Sequence, residues 1–287
     1  MLRHLYSTYI KVNYIRFIIF LRKILFNLTN PNWKQYYNII DNDNITKYKT
    51  SDTIFIFGSG YSLNDITDLE FKYFEKHDTL SFNWFVYQKF IKVKFQMIRE
   101  ICLDAKNIFD LNEKLDTYRN LINNDNYKDT VFLMQNDLSG TMSFEMLNRF
   151  ILPLSQKLYF FKTFSRNKRS FPNKALSKGL IHSAGTLTDC ISFAYAMNYK
   201  QIVFVGVDLY DKRYFWLKAD ETNSVDLQEN SNFSYKDKHK TADPILKVID
   251  KWQKKFTPDG IQMYTYNPKS LLNEYLPVYK INHELNN

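Results

Sequence analysis

Short apolar runs alternate with longer amphipathic stretches along most of the chain. The apolar runs have the length and composition of buried strands and lie at 53–57, 79–82, 95–98, 130–134, 201–205 and 261–265. The stretches with a helical period lie at 63–76, 104–128, 183–198 and 243–256. This alternation predicts an α/β fold in which a mostly parallel sheet is flanked by helices. Residues 139–180 have no regular period and are predicted to be irregular.

The first 29 residues have the pattern of a basic amphipathic helix, which ends at Asn30–Asn32. Its most apolar part, residues 14–21, is too short for a membrane span and is interrupted by Arg16. Two interpretations stay open: an interfacial helix on an anionic bilayer, or a helix that packs on the body of the protein.

The pattern divides the chain into three parts. Residues 1–48 form the basic N-terminal helical region, residues 49–276 an α/β domain, and residues 277–287 a short tail. Within the α/β domain, residues 211–240 form a long polar segment, which predicts either a lid or a disordered loop.

Composition and charge narrow the class of protein. With 287 residues, of which 45% are apolar, the chain can form one large domain or two small ones. The net charge is +9, and no acidic residue precedes Asp41. The cations before it are Arg3, Lys11, Arg16, Arg22, Lys23 and Lys34. The remainder is only mildly basic, which argues against nucleic acid as a partner. Cys102 and Cys190 form no zinc or disulfide pattern, so a reducing cytoplasm is predicted.

The first buried strand leads directly into a turn of small residues, Gly58, Ser59, Gly60 and Ser62. Such a turn lets backbone N–H groups approach a phosphate, and it stands where a doubly wound α/β protein begins its nucleotide site. Leu63 occupies the place of the third glycine of a dinucleotide fingerprint, and no P-loop ending follows. The alternative is a tight strand-to-helix turn without a ligand.

Polar residues also follow three other predicted strands, at Asn83, Asp208–Tyr210 and Asn267–Ser270. Ligands of open α/β sheets bind outside the carboxyl ends of the strands. Together with the glycine turn, these strand ends therefore predict one cleft.

The histidines offer candidates for proton transfer. His239 lies in the polar segment and is either a general base or an exposed loop residue. His182, beside Ser183–Gly185, either contacts a ligand or caps a helix. The five histidines show no metal spacing, and the Gly-x-Ser-x-Gly elbow of hydrolases is absent. Asp41–Asn44 is predicted to be a loop and not a metal motif.

Five short motifs follow one another between residues 52 and 276, with His239 and Asp243 between the last two. They are Gly58–Leu63, Ser81–Phe85, Ser183–Gly185, Asn198–Tyr210 and Asn267–Leu272. In this order they resemble the motifs of the bacterial sialyltransferases of glycosyltransferase family 42, which decorate lipooligosaccharide.

The resemblance implies a modified Rossmann-like fold, called GT-A-like, with a lid. It implies inverting transfer of sialic acid from CMP-sialic acid, with no metal or other cofactor. It places Gly58, Ser59, Gly60, Ser62 and Asn83 around CMP, Ser183 and Gly185 near the donor, and Asn267 and Ser270 near the cytidine. It assigns the phosphate to Tyr210 and Tyr214 and the role of base to His239. Asp208 belongs to the same predicted nucleotide-sugar site.

The sequence departs from the family pattern in four places. Ile181 and Arg99 stand where the family has an arginine and an asparagine. The spacing from Ser183–Gly185 to the next strand is longer, and the interval between the two tyrosines is shorter. These departures affect the sugar and the acceptor more than the nucleotide, so Kdo, pseudaminic or legionaminic acid are alternatives to sialic acid.

The sequence therefore predicts an inverting, metal-independent glycosyltransferase that moves a CMP-activated nonulosonic acid to a hydroxyl of a surface glycan. The acceptor, lipid-linked or not, would be met at the cytoplasmic face of a bacterial membrane, with residues 1–29 on the anionic surface. The alternatives are a transferase of another CMP-activated acidic sugar such as Kdo, and a non-catalytic nucleotide-binding accessory protein. The linkage and the oligomeric state, including a homo-oligomer, stay open.

Overall fold

The computed structural model describes residues 17–99, 105, 107–136, 141–164, 170–210, 213–217 and 242–281. The chain divides into two compact units, each built from two stretches of sequence. The first unit lies within Met1–Tyr48 and Phe82–Thr163, and the second unit lies within Lys49–Ser81 and Phe164–Asn287.

Strands and helices alternate through the described residues. The strands are β1 (Asn38–Ile40), β2 (Thr53–Phe57), β3 (Asp78–Phe82), β4 (Phe95–Ile98), β5 (Val131–Gln135), β6 (Lys157–Phe161), β7 (Gln201–Val205) and β8 (Gln262–Thr265). The helices are α1 (residues 17–29), α2 (Asn42–Ile45), α3 (Asp68–Phe74), α4 (Ile108–Ile122), α5 (Thr141–Asn148), α6 (Thr186–Ala196) and α7 (Ala242–Phe256). The strand pairs within each unit are parallel. The predicted Rossmann-like α/β fold with parallel strands is therefore confirmed.

In the second unit the strand order is β3-β2-β7-β8. The chain runs from β2 outward to β3, and it later returns to β7 on the other side of β2 before it reaches β8. The direction of winding therefore reverses between β2 and β7. Open α/β sheets bind their ligands at such a reversal, outside the carboxyl ends of the strands.

The core of the second unit explains the continuous apolar runs of its strands. All five residues of β2 are buried because parallel strands are covered on both faces. Phe55 packs against Phe74 of α3 with ring centroids 4.5 Å apart. In α6, every residue from Leu187 to Tyr195 is buried, so this helix has no solvent face in its middle.

The first unit carries the strand order β1-β6-β5-β4 and the helices α1, α2, α4 and α5. Ile19 and Phe26 are the buried apolar residues of α1. Its two cations also point inward: Arg22 donates to the buried Glu145 at 2.8 Å, and the Lys23 ammonium lies 3.8 Å from the centre of the Phe144 ring. Two of the cations that suggested a solvated basic face, Arg22 and Lys23, are therefore packed against α5.

The outward face of α1 is apolar instead. Phe17, Phe20, Leu21, Ile24, Leu25 and Leu28 are between 40% and 74% exposed. At 3.6 residues per turn these six positions fall within an arc of about 140°. Among the described helices, none is long and apolar enough to cross a membrane.

The sequence predicted the regular elements unevenly. The six predicted strands are present within one or two residues, whereas the prediction that 139–180 is irregular is wrong, because α5 and β6 lie there. β6 was missed because Pro153 and Ser155, which has φ +65°, give its approach the composition of a loop. β1 is only three residues long and was missed too. The predicted loop at Asp41–Asn44 contains the start of α2, which Asp41 caps.

Candidate functional site

Two turns meet at the reversal between β2 and β7 in the second unit. One is the glycine turn, residues 58–63 after β2, and the other is formed by residues 206–210 after β7. The Gly58 amide donates to Val205 O, and the Gly60 amide donates to Gly206 O, both at 2.8 Å. The turns are therefore joined by backbone hydrogen bonds that continue the β2–β7 pairing past the ends of the strands.

The closeness of the two turns explains why positions 58 and 60 are occupied by glycine. A Cβ on Gly58 would lie 2.4 Å from Gly206 O, and one on Gly60 would lie 2.4 Å from an Asp208 carboxylate oxygen. Both distances are far below van der Waals contact, so neither position accepts a side chain without a shift of the backbone or of Asp208. The glycines are thus required by the approach of the neighbouring turn, and the amides of Gly58 and Gly60 face that turn.

Asp208 is the centre of a buried network between these turns. It is 2% exposed. Its carboxylate accepts hydrogen bonds from the Ser62 amide at 3.0 Å, the Ser62 hydroxyl at 2.5 Å and the Asn267 side-chain amide at 2.8 Å. Three uncharged donors therefore compensate for the loss of hydration of the carboxylate. The two hydrogen bonds from Ser62 to Asp208 hold the glycine turn in place.

The segment after β8 completes the network. The Asn267 side-chain amide also donates to the Tyr210 hydroxyl at 3.4 Å, so this phenol can use its own hydrogen for another acceptor. The Ser270 hydroxyl donates to Val207 O at 2.6 Å and caps the turn that follows. Tyr266 is tied to α3 by a hydrogen bond to Glu70, and burial raises its pKa above the usual range.

Residues 213–217 bring the start of the predicted lid against the glycine turn. Tyr214 forms a bridge with Gly60, and the Phe215 amide donates to Ser59 O at 3.1 Å. The Tyr214 ring stacks on Trp216, with centroids 4.6 Å apart. The structure therefore brings Tyr214 close to Gly60, although sequence spacing alone gave no reason for their contact.

Ser183–Gly185 lead into α6 at a further turn of the second unit. The Thr188 hydroxyl accepts from the amides of Ser183 and Ala184, at 3.0 and 3.3 Å, and donates to Gly185 O. Gly185 has φ +102°, which favours glycine, and open space surrounds the position of a Cβ there. The Ser183 hydroxyl is buried and has no hydrogen-bond partner among the described residues.

One pair of contacting side chains in this region does not correspond to any sequence motif. His182 Nδ1 lies 2.7 Å from the carboxylate of Asp189 in α6, and Asp189 is 0% exposed. Sequence reasoning singled out His182 but missed Asp189. A loop residue and a helix residue seven positions later form no recognisable spacing, and only the fold of the turn brings them together.

The contacts described above do not include two of the predicted site residues. Asn83 belongs to the first unit, where its side-chain oxygen accepts from the Arg99 amide at 3.3 Å, and it has φ +50°. His239 and all of the predicted lid except 213–217 lie outside the described residues. Among the described residues, no cluster of three or more His, Cys, Asp or Glu side chains could hold a metal ion.

Comparisons with known proteins give distant similarities only. No family model and no curated protein sequence matches this chain. The chain is similar to the monofunctional α-2,3-sialyltransferase Cst-I of Campylobacter jejuni, with 15% identity over 87% of this chain and 89% of that chain and a TM-score of 0.46. It is also similar to CstII of the same organism in complex with CMP-3FNeuAc, with 16% identity over 79% and 86% of the two chains and a TM-score of 0.45. Similarity at this level assigns neither a family nor an activity.

Proposed function

We propose that this protein is an inverting, metal-independent glycosyltransferase that transfers sialic acid or a related nonulosonic acid from its CMP donor to a hydroxyl of a surface glycan. The observation that supports the proposal most directly is the Asp208 network. It joins Ser62, Asp208 and Asn267, which belong to three separate motifs of the chain, at the reversal between β2 and β7.

In this proposal the network shapes the nucleotide site, and other side chains perform the chemistry. The hydroxyls of Tyr210 and Tyr214 donate to the phosphate as negative charge develops on it. His239 takes the proton of the acceptor hydroxyl as that oxygen attacks the anomeric carbon from the side opposite the phosphate. The carbon–oxygen bond to the phosphate breaks with its electron pair, CMP leaves, and the configuration inverts. A single phosphate carries less charge than a diphosphate, so hydrogen bonds can replace a metal ion.

Binding and transfer test the proposal in sequence. Calorimetry should show that the protein prefers CMP to UMP, GDP and ADP. Mass spectrometry after incubation with CMP-sialic acid, CMP-Kdo and CMP-pseudaminic acid should identify a transferred sugar. Preference for another nucleotide would contradict the CMP assignment, and CMP binding without transfer or hydrolysis of any donor would favour the accessory-protein alternative.

A matched pair of asparagine variants locates the site. Asn267→Ala removes two hydrogen bonds of the network, to Asp208 and Tyr210, and should weaken CMP binding about 10-fold or more. Asn273→Ala, six residues later, removes only an exposed hydrogen bond to Pro268 O and should bind CMP like the wild type. Equal affinities of the two variants would place the nucleotide elsewhere.

We further propose that the enzyme works at the inner face of a bacterial membrane, with α1 as its contact. The support is the outward apolar face of α1 together with the absence of any acidic residue before Asp41. An outward apolar helix face in a stretch of sequence with cations and no acid fits an anionic bilayer better than it fits water. The acceptor would then be presented on a lipid or a glycan close to that surface.

A further inference from the structure

His182 and Asp189 form an ionisable pair in the second unit that the proposed chemistry does not use. The Asp189 carboxylate, in the first turn of α6, is completely buried, while the His182 side chain is 15% exposed. A carboxylate removed from water needs compensating donors or charge, and His182 Nδ1 at 2.7 Å supplies one. Among the described ion pairs, Asp189 is the one acidic partner of His182.

The position of the imidazole is fixed by its backbone as well as by Asp189. The Ile181 amide donates to the Ser192 hydroxyl at 3.0 Å, and the Ser183 amide donates to the Thr188 hydroxyl at 3.0 Å. Both acceptors belong to α6. The backbone on both sides of His182 and the ring of His182 are thus all held by contacts with α6.

The ring presents its other nitrogen outward. Because Nδ1 faces a completely buried carboxylate, the exposed part of the ring is the opposite edge, which carries Nε2. Some buried side-chain atoms have no hydrogen-bond partner among the described residues, and Nε2 is not one of them. A ligand at this edge would therefore meet Nε2.

Topology places this edge at the carboxyl ends of the strands. Residues 197–200 connect α6 to β7, and so short a connection makes the helix run antiparallel to the strand. The 11 residues of α6 and the five of β7 both span about 16 Å. The start of α6, with His182, therefore lies at the sheet edge from which Gly206–Tyr210 emerge.

We propose that His182, held by Asp189, is an oxyanion-binding residue of the donor site. It would donate Nε2–H to the phosphate or to the carboxylate of the acidic sugar, and this role rests on the proposed function. A histidine between two anions can donate to both only when both ring nitrogens carry hydrogen. With hydrogen on both nitrogens, the ring balances Asp189 and leaves a charged donor for the substrate.

The test compares ligands that differ by one anionic group. Calorimetry would measure cytidine, CMP and a non-transferable CMP-sugar analogue on wild type and His182→Asn. The preference of the wild type for CMP over cytidine should fall about 10-fold or more in His182→Asn. A loss that appears only with the CMP-sugar analogue would assign Nε2 to the sugar carboxylate instead of the phosphate.

His77 provides a matched control in the same unit. It is a half-buried histidine whose Nδ1 lies 3.0 Å from the Ser51 hydroxyl, before β2 and β3 and thus at the opposite edge of the sheet. Burial lowers the pKa of His77, which keeps its ring neutral near pH 7. His77→Asn should leave the ratio of CMP to cytidine affinity unchanged.

The possible outcomes separate this inference from the function on which it rests. A wild type that does not bind CMP would reject both. A wild type that prefers CMP, with the same preference in a folded His182→Asn, would reject the inference alone and make the pair structural. If His182→Asn does not fold, Asp189→Asn serves instead. It keeps an acceptor for Nδ1 but removes the charge that Asp189 sets against the ring, and it should lower the preference for CMP over cytidine.

Discussion

Asp208 shows how one buried side chain joins residues that lie far apart in the chain. Its partners Ser62 and Asn267 are 146 and 59 residues away. The carboxylate accepts all three hydrogen bonds while it is almost completely buried, so each partner is restrained in direction as well as in distance. Tyr210, to which Asn267 also donates, is thereby positioned through a carboxylate that is itself only 2% exposed.

The two site tyrosines are expected to act through their hydroxyls. Tyr210→Phe and Tyr214→Phe keep the rings, including the stacking of Tyr214 on Trp216, and each should cost about 1–3 kcal/mol in transition-state stabilisation. The measurement is kcat/KM per folded molecule with the CMP donor. Tyr266→Phe is the control, because its hydroxyl bonds Glu70 and its loss should lower stability but not turnover. Reduced stability with normal turnover in all three would make Tyr210 and Tyr214 structural.

His239 is expected to have a different signature from His182. As the base for the acceptor hydroxyl, it acts in the chemical step, so His239→Ala should lower kcat about 10²-fold or more. Its affinity for CMP should stay near that of the wild type, in contrast to His182→Asn. Turnover close to wild type in His239→Ala would show that another group takes the proton.

At the scale of elements, the glycine turn and the turn after β7 form one structure. Neither turn is long enough to be stable alone, and the turn after β7 supplies acceptors for the amides of Gly60 and Ser62 in the glycine turn. The register of β2 on β7, with Phe57 opposite Val205, decides which residues of the two turns meet. A change of one residue in this register would separate Gly60 from Asp208.

Gly60→Ala tests this dependence. The new Cβ would lie 2.4 Å from an Asp208 oxygen and 2.8 Å from Gly206 O, so the turns must separate. We expect a loss of about 1–3 kcal/mol in the free energy of unfolding and a weaker affinity for CMP in the folded fraction. Denaturant unfolding and calorimetry measure the two effects.

Gly260→Ala is the control for lost stability alone. Gly260 has φ +69° and open space around a Cβ, so alanine there is strained by about 1–2 kcal/mol without any clash. It precedes β8, at the opposite edge of the sheet from the two turns. Gly260→Ala should lose stability and keep CMP affinity, and the same behaviour in Gly60→Ala would uncouple the turn from the nucleotide.

For the whole molecule, the distribution of charge and apolar surface is uneven. The first 40 residues hold six cations and no acid, and α1 places six large apolar side chains in solvent. Because Arg22 and Lys23 are engaged with α5, the apolar face should contribute more of any membrane affinity than these two charges do. Lys34 and the cations before residue 17 would supply the part that salt screens.

The combined change Leu25→Asp and Leu28→Asp should therefore lower binding to anionic vesicles about 10-fold or more, at low and at high salt. Raising the salt concentration should weaken the binding of the wild type to vesicles. Deletion of residues 1–29 should abolish vesicle binding while CMP affinity is kept. Vesicle sedimentation measures both effects.

The combined change Leu69→Asp and Phe109→Asp is the control for this experiment. These two side chains are 75% and 79% exposed but lie outside α1, so vesicle binding should not change. If the wild type ignores vesicles and the α1 changes dissolve an oligomer, the face is a contact between copies of this chain. If deletion of residues 1–29 unfolds the protein, α1 belongs to the fold.

The sequence by itself determined the class of fold and the ends of the strands where a site can lie. Burial on both faces imposes continuous apolar runs on parallel strands, and β2 and β7 could be located from those runs alone. Polar residues directly after such runs must emerge at the carboxyl edge, which made the meeting of Asp208 and Asn267 at that edge predictable. Such local patterns are visible because their physical causes act within a few residues of the chain.

Only the tertiary structure decided which of these groups meet and in which direction they point. The contact of Asp189 with His182, the clash that requires Gly60, and the outward turn of the apolar face of α1 all depend on packing between separate segments. An amphipathic period shows that a helix has two faces, but the partner that covers one of them lies elsewhere in the chain. Here Glu145 and Phe144 of α5 contact the two cations of α1, and this packing leaves the apolar side chains of α1 in solvent.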